Sequence, residues 1–465
     1  MQEDVFLLHK GDAKYIYERF LKGIPIVDYH CHLKPEEIYE NKKFKNLTEL
    51  WLEKDHYKFR LMRANGIDER RITGDASDYD KFLAWVETLE GCIGNPLHHW
   101  SHMELSQFFG VNEWITRENA PRIWEKVNAK LGEQGLGARD FITRSNVKVI
   151  GTTDQPLSLL EHHQQLKEMN LPFEVVPTFR LDAALILDDA RYFAQIKTQF
   201  GVEINTLNEY LDFLKTRIMY FNELGCRAAD FGVGYLAYTT DLSNPTDIFL
   251  ALRAGQVVTK EQLDGLKRHI LLEIISEIKK QDWVFQLHFG AVGSVNEKAK
   301  GRLGAGTGFD TIMDQSEVAM SLLNLFNQLN NRGILPKTVL YNIDGTKNNV
   351  TQSIMACFQD NEEGIKGKIQ HGPAWWFQDT LRGNKRQIQD LAEQGIIMNF
   401  IGMTTDSRSF LSYARHDYFR RILATCIDEW IESGEMPKDE TFIQRFTQAI
   451  AYKNAHIYFG FKKSL

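Results

Sequence analysis

Short apolar runs closed by Gly, Pro or Asp recur along the chain, and between them lie longer stretches whose apolar residues return every three or four positions. That alternation predicts strands joined by helices that cross back over a parallel sheet. Eight runs stand out: IPIVDYH (24 to 30), VKVIGTT (147 to 153), FEVVPTF (173 to 179), RAADFGV (227 to 233), WVFQLHF (283 to 289), KTVLYNI (337 to 343), GKIQHGPAWWF (367 to 377) and IIMNFIG (396 to 402). The fourth and seventh owe their place mainly to the count of eight. Helical periodicity fills 210 to 225, 261 to 281 and 315 to 333, each stretch just ahead of a strand. The expected fold is α/β, a (β/α)8 TIM-type barrel, although a doubly wound open sheet would alternate as well. Residues 36 to 140 break the rhythm, being rich in Trp, Phe, Leu and charge without a clear strand. A structureless loop of that length does not belong in a compact domain. The expectation is therefore a barrel of residues 1–35 and 141–465, with 36–140 a helical insertion covering the active-site face.

Composition narrows the function classes. The 465 residues are 43% hydrophobic, enough for a large core without covalent staples. Net charge is −7 with no long run of one sign, so neither nucleic acid nor an anionic membrane is indicated as a partner. The five cysteines, Cys31, Cys92, Cys226, Cys357 and Cys426, are odd in number and scattered, with no CxxC pair. They support neither a disulfide framework nor a zinc ribbon, and fit a reducing compartment. The first twenty residues mix acids and lysines, and no segment reaches ~18 apolar residues. A soluble, cytoplasmic protein is expected.

Candidate chemistry gathers at the ends of the runs. The first closes on His30-Cys31-His32, whose imidazoles share one strand face roughly 6.5 to 7 Å apart at the α-carbons, close enough to grip one metal ion. Fourteen histidines make a chance HxH common, so position carries the argument: barrel enzymes build their sites at the carboxyl ends of strands. Asp406 follows the eighth run, and closure of a barrel would set it against His30 and His32. Two imidazoles and a carboxylate suit a zinc-like ion with an open position, although the TTDS context of Asp406 would also serve a helix N-cap. His288 ends the fifth run and is a candidate ligand or substrate contact. Arg180 and Arg408, at two strand ends, suggest an acidic small molecule gripped by guanidinium forks. One of Trp375 and Trp376 is expected to stack on a sugar face. Periodicity alone makes His56 and Tyr57 surface residues of a helix in the insertion.

Taken together, His30-Cys31-His32, the long insertion, Thr405-Asp406-Ser407-Arg408, SYARHDYFRR (412 to 421), QLHFGAV (286 to 292), GTGFDTI (306 to 312) and AWWFQD (374 to 379) closely resemble the uronate (glucuronate) isomerase family of the amidohydrolase superfamily. The resemblance covers essentially the whole chain. It implies aldose-ketose isomerisation of D-glucuronate to D-fructuronate and of D-galacturonate to D-tagaturonate, by proton transfer between C2 and C1 through a cis-enediol. It further implies one divalent ion, usually zinc, on His30, His32 and Asp406. His56 and Tyr57 become a site pair contributed by the insertion, which reverses the surface reading. Arg180, Arg408 and one of the two tryptophans become substrate contacts, with Tyr57 or Asp406 moving the proton. The binuclear hydrolases of that superfamily carry a carboxylated Lys or a Glu on the fourth strand and a His on the sixth. Here those strands read RAADFGV and VLYNID, which argues against a second metal. The rival readings are a mononuclear metal-dependent hydrolase, such as a deaminase or lactonase, and a catalytically silent sugar-acid binding protein. A homo-oligomer is expected from the resemblance alone.

Overall fold

The first strand, β1 (Ile26–Asp28), is buried along its whole length, as a parallel strand enclosed by helices must be. The structure is a computed structural model describing residues 6–9, 11–133, 135–361 and 364–461. Nine further strands follow in chain order: β2 (Val147–Gly151), β3 (Glu174–Val176), β4 (Phe179–Arg180), β5 (Ala228–Val233), β6 (Val284–Phe289), β7 (Ala291–Val292), β8 (Thr311–Ile312), β9 (Thr338–Asn342) and β10 (Ile369–His371). All pairings are parallel except the small β7–β8 hairpin. The ladders run β1-β2-β3 and β4-β5-β6-β9-β10.

The third run supplies both β3 and β4, which face different neighbours on either side of Pro177 and Thr178. Asp154 N–H donates to Thr178 O at 3.0 Å and Arg180 N–H to Asp154 O at 2.9 Å, so the continuation of β2 stays beside β4 and joins the two ladders. The other seam is closed by the end of the eighth run. Asp406 N–H donates to His30 O at 3.0 Å and His32 N–H to Ser407 O at 2.9 Å. On its far side Gln370 Nε2 donates to Asn399 O at 3.1 Å. The result is a ring-like α/β order consistent with a (β/α)8 barrel, in which seven runs supply parallel strands and the end of the eighth run fills the remaining place.

One predicted run is corrected and another is shortened. The eighth contains a 3-10 turn, Ile397–Asn399, and then a buried extended segment that forms no strand. Side chains hold it to β1 in place of a backbone ladder: Thr404 Oγ1 and Thr405 N donate to Asp28 Oδ1 at 2.8 and 2.7 Å, and Thr405 Oγ1 to Asp28 Oδ2 at 2.7 Å. Gly402 sits at φ +72° where a Cβ would lie 2.1 Å from Ile450 O, so the chain turns there through a space that only glycine fits. The seventh run forms only three strand residues before Pro373, which has no N–H for a ladder, and a 3-10 turn at Trp376–Gln378.

The predicted helices appear as Leu207–Glu223, Lys260–Lys280 and Val318–Asn331, the first two opened by capping boxes at Thr206/Glu209 and Thr259/Gln262. Between β1 and β2 the described residues form helices joined by turns and no strand, apart from the isolated bridge Lys43 to Gly137. Trp51, Trp85 and Phe82 of this stretch are fully buried and share one apolar core with β1 and helix Ala414–Glu432. Each such ring contributes about 1.5–3 kcal/mol or more by leaving water. No helix among the described residues is long and apolar enough to cross a membrane.

Candidate active site

Past Asp28 the chain leaves the sheet, and His30 and His32 present their rings 5.4 Å apart at the end of β1. Asp406 reaches them from the closing segment, its Oδ1 3.3 Å from His30 Nε2 and 3.0 Å from His32 Nε2. Its second oxygen accepts the indole N–H of Trp375 at 2.8 Å. Asp406 takes φ +46°, a left-handed conformation that Asp tolerates better than most residues, and Trp376 takes φ +52°. Strain of this kind costs about 1–3 kcal/mol per residue and concentrates at functional sites. Burial works against the Asp406 carboxylate, but the two imidazoles outweigh it and hold the carboxyl well below its usual range. Burial also opposes charge on His30, yet Asp230 and Asp406 together raise it, whereas for His32 burial prevails and lowers it.

A second group adjoins the first. Arg180 on β4 is aligned with Asp230 on β5, and Gly232 with His288 on β6. Asp230 Oδ1 lies 2.8 Å from His288 Nδ1, and its Oδ2 lies 3.3 Å from Arg180 Nη1. The Arg180 Nε makes a 2.7 Å pair with Asp182. His288 lies flat on Tyr341 at 4.1 Å and close to the His30 ring at 4.7 Å. Sequence reasoning passed over Asp230. The signal was present: an acid in the middle of an apolar strand buried in a parallel sheet is expensive unless paired.

His56 and Tyr57 are not surface residues. They open the helix His56–Ala64, whose N-cap Asp55 accepts from Tyr57 N and Lys58 N at 3.1 Å each. The two rings stack at 4.5 Å, and Trp376 stands edge-on to both, at 5.4 and 5.8 Å. Periodicity misled because the first turn of this helix projects over the barrel mouth, where an outward-facing ring still meets protein. Burial and the nearby Asp406 carboxylate push the Tyr57 phenol well above its ordinary value, so it stays protonated at neutral pH. His56 Nδ1 lies 3.3 Å from Asp310 Oδ2, a second carboxylate that the sequence did not single out. An acid in a Gly-rich loop carries no such signal.

All ten residues singled out from the sequence, His30, His32, His56, Tyr57, Arg180, His288, Trp375, Trp376, Asp406 and Arg408, line one cleft of about 250 Å³ that opens to solvent. The donor set fits a divalent ion: nitrogen and oxygen atoms of His30, His32 and Asp406 all lie within 4.8 Å of one another. His30, Asp230 and His288 meet the same distance test, but Arg180 already occupies Asp230, and a guanidinium there disfavours a second cation.

The family model for glucuronate isomerase matches residues 1–459. A uronate isomerase of Caldicellulosiruptor saccharolyticus is 45% identical over 99% of both chains, and one of Bacillus licheniformis is 45% identical over 99% of this chain and 97% of that one. The crystal structure of uronate isomerase from Thermotoga maritima superposes with a TM-score of 0.91 at 28% identity, covering 99% of each chain. That of glucuronate isomerase from Caulobacter crescentus gives 0.85 at 25% identity, over 96% of this chain and 93% of that one.

Proposed function

The chain belongs to the glucuronate isomerase family, and from that premise we propose that its cleft interconverts D-glucuronate with D-fructuronate, and D-galacturonate with D-tagaturonate, by moving one proton between C2 and C1. The observation that carries this reading is the meeting of Asp406 with His30 and His32 in a cleft that also holds Tyr57, Arg180 and Arg408. Proton transfer needs one group ionised and one protonated, and the two candidates differ in that sense. Asp406 is held as a carboxylate and Tyr57 as a phenol.

Asp406 takes the proton from C2 of the open-chain sugar, and the freed electron pair forms the C1–C2 double bond. Negative charge then collects on the C1 oxygen, where the Arg408 guanidinium and the Tyr57 hydroxyl stabilise it as an enediolate. Return of the proton from Asp406 to C1, with transfer of the O2 proton to O1, leaves the C2 ketone and a C1 hydroxyl. Trp375 keeps Asp406 aimed through its indole N–H. Arg180 and His56 hold the substrate's carboxylate or hydroxyls, and the tryptophan faces pack on its C–H surface. His30, His32 and Asp406 would hold a divalent ion, which polarises substrate oxygens when bound.

Zinc as the ion, the helical stretch 36–140 as a cover for the site, a cytoplasmic setting and self-association belong to the same proposal. The five free cysteines support the reducing compartment; the resemblance supports zinc and self-association. The test is incubation with D-glucuronate in deuterium oxide, following ketose formation and deuterium at C1 and C2 by NMR. The wild type should form D-fructuronate and D406N should lose at least a thousandfold in rate. Absence of ketose, or near-normal turnover by D406N, overturns the assignment.

A further inference from the structure

The carboxylate of Asp310 has no place in the reaction as written, yet it is almost fully buried beside the cleft, 8% exposed. It stands just before β8, at the foot of the excursion from β7 that spans residues 293 to 310. Its Oδ1 accepts the Ser294 N–H at 2.9 Å across that foot, leaving Oδ2 for His56 Nδ1 at 3.3 Å. The acid is thus fixed at one end by the hairpin and faces the imidazole with the other.

The hairpin is itself clamped to the helix that carries His56. Arg60 Nη1 donates to Asp310 O at 2.9 Å, Arg63 Nη1 donates to Thr307 O, and the Arg63 guanidinium lies over the Phe309 ring at 4.4 Å. Gly308, at φ +95°, passes so close that a Cβ there would sit 2.6 Å from His56 O. Glycine is required for that approach. The His56 ring is therefore confined on three sides: Tyr57 stacks on it, Trp376 closes one edge, and Asp310 takes Nδ1.

We infer that Asp310 is a positioning residue: it selects the Nδ1–H form of His56 and orients the ring, so that Nε2 is the atom presented to the uronate in the cleft. The chemistry follows from the imidazole itself. A neutral ring carries one N–H and one lone pair, and a carboxylate at Nδ1 takes the N–H, which leaves Nε2 to accept a substrate hydroxyl. When the ring is protonated, the same geometry directs an N–H toward the substrate carboxylate. The excursion of residues 293 to 310 thereby takes part in substrate recognition through the His56 ring.

This inference rests on the proposed uronate substrate, and the experiment separates the two. Initial rates are measured with D-glucuronate for the wild type, D310N, H56A and the double variant. D310N preserves an acceptor for Ser294 N–H but turns an NH2 toward His56, which inverts the favoured tautomer. The expected result is a KM raised about tenfold, with kcat within about threefold and an unchanged melting temperature. In the H56A background the same substitution should alter KM less than twofold, because Asp310 acts through that ring. A KM within twofold of wild type, or an effect undiminished in H56A, overturns the inference. So does a D310N chain that loses activity and melting temperature together, since the carboxylate would then hold the fold and not the ring. A wild type that leaves D-glucuronate unchanged defeats the proposed function as well. Wild-type turnover with an indifferent D310N defeats this inference alone.

Discussion

Removing the carboxylate of Asp28 should loosen the segment that delivers Asp406. Asp28 has no exposed surface and accepts Thr404 Oγ1, Thr405 N and Thr405 Oγ1, with His416 Nε2 3.7 Å away. Thr404 Oγ1 keeps His30 O as a second partner at 2.8 Å, so D28A orphans chiefly the two Thr405 donors and leaves His416 without its anion. Each stranded donor costs about 1–3 kcal/mol, so with two Thr405 donors stranded a loss of about 4 kcal/mol is expected. With an unfolding entropy of about 2.1 cal/mol/K per residue, a chain of this length loses about 1 °C per kcal/mol. D28A should therefore melt about 4 °C lower at a fixed scan rate, and D28N, which keeps one acceptor oxygen, about 2 °C lower. Activity should suffer more than stability. A shift near 1 Å at a catalytic group can cost about a hundredfold, so kcat/KM of D28A with D-glucuronate should fall at least tenfold. A melting point within 1 °C of wild type together with kcat/KM within twofold would refute the claim that Asp28 holds the closing segment.

Two other measurements probe the same architecture. His371 accepts Gln352 Nε2 on Nδ1 at 3.0 Å and donates from Nε2 to Asn342 Oδ1, and burial pushes it down to about 3. The unfolded chain protonates this ring near 6.5 while the folded chain keeps it neutral, so between about pH 6.5 and 3 the unfolded state binds more protons and stability falls on acidification. H371Q should flatten that acid limb by up to about 4 kcal/mol at its foot, read as melting temperature against pH; an unchanged limb counts against the assignment. For the metal, chain stripped with a chelator and retitrated with zinc should bind one equivalent, and H32A should weaken binding about tenfold or more. Unaltered binding by H32A would remove it from the ligand set.

The strand order was legible because parallel strands buried on both faces must be continuously apolar, a pattern that gives a strand in seven of the eight runs, the seventh being cut to the three residues of β10. The eighth failed where side chains replaced the ladder. Thr404, Thr405 and Asp28 make the contacts a strand would make through its backbone, and nothing in apolar periodicity records that. His30, His32, Asp406 and the arginines could be chosen because strand ends are where barrels place chemistry. His56 and Tyr57 could not be placed by periodicity, since what covers them is Trp376, some 320 positions on. Asp230 had a readable signal and was missed, whereas Asp310 depends on a hairpin whose docking is a tertiary fact.

The seam between first and last barrel segments also sets a timetable. His30 and Thr404 are 374 positions apart, a span that takes about 20 to 75 seconds to emerge at ribosomal speed. Throughout that interval the nascent chain displays both imidazoles without the Asp406 carboxylate that lies between them, and β1 lacks its neighbour on that side. A chain that stopped before Asp406 would lack the closing segment while keeping every parallel strand, and on the proposed mechanism it would be inert.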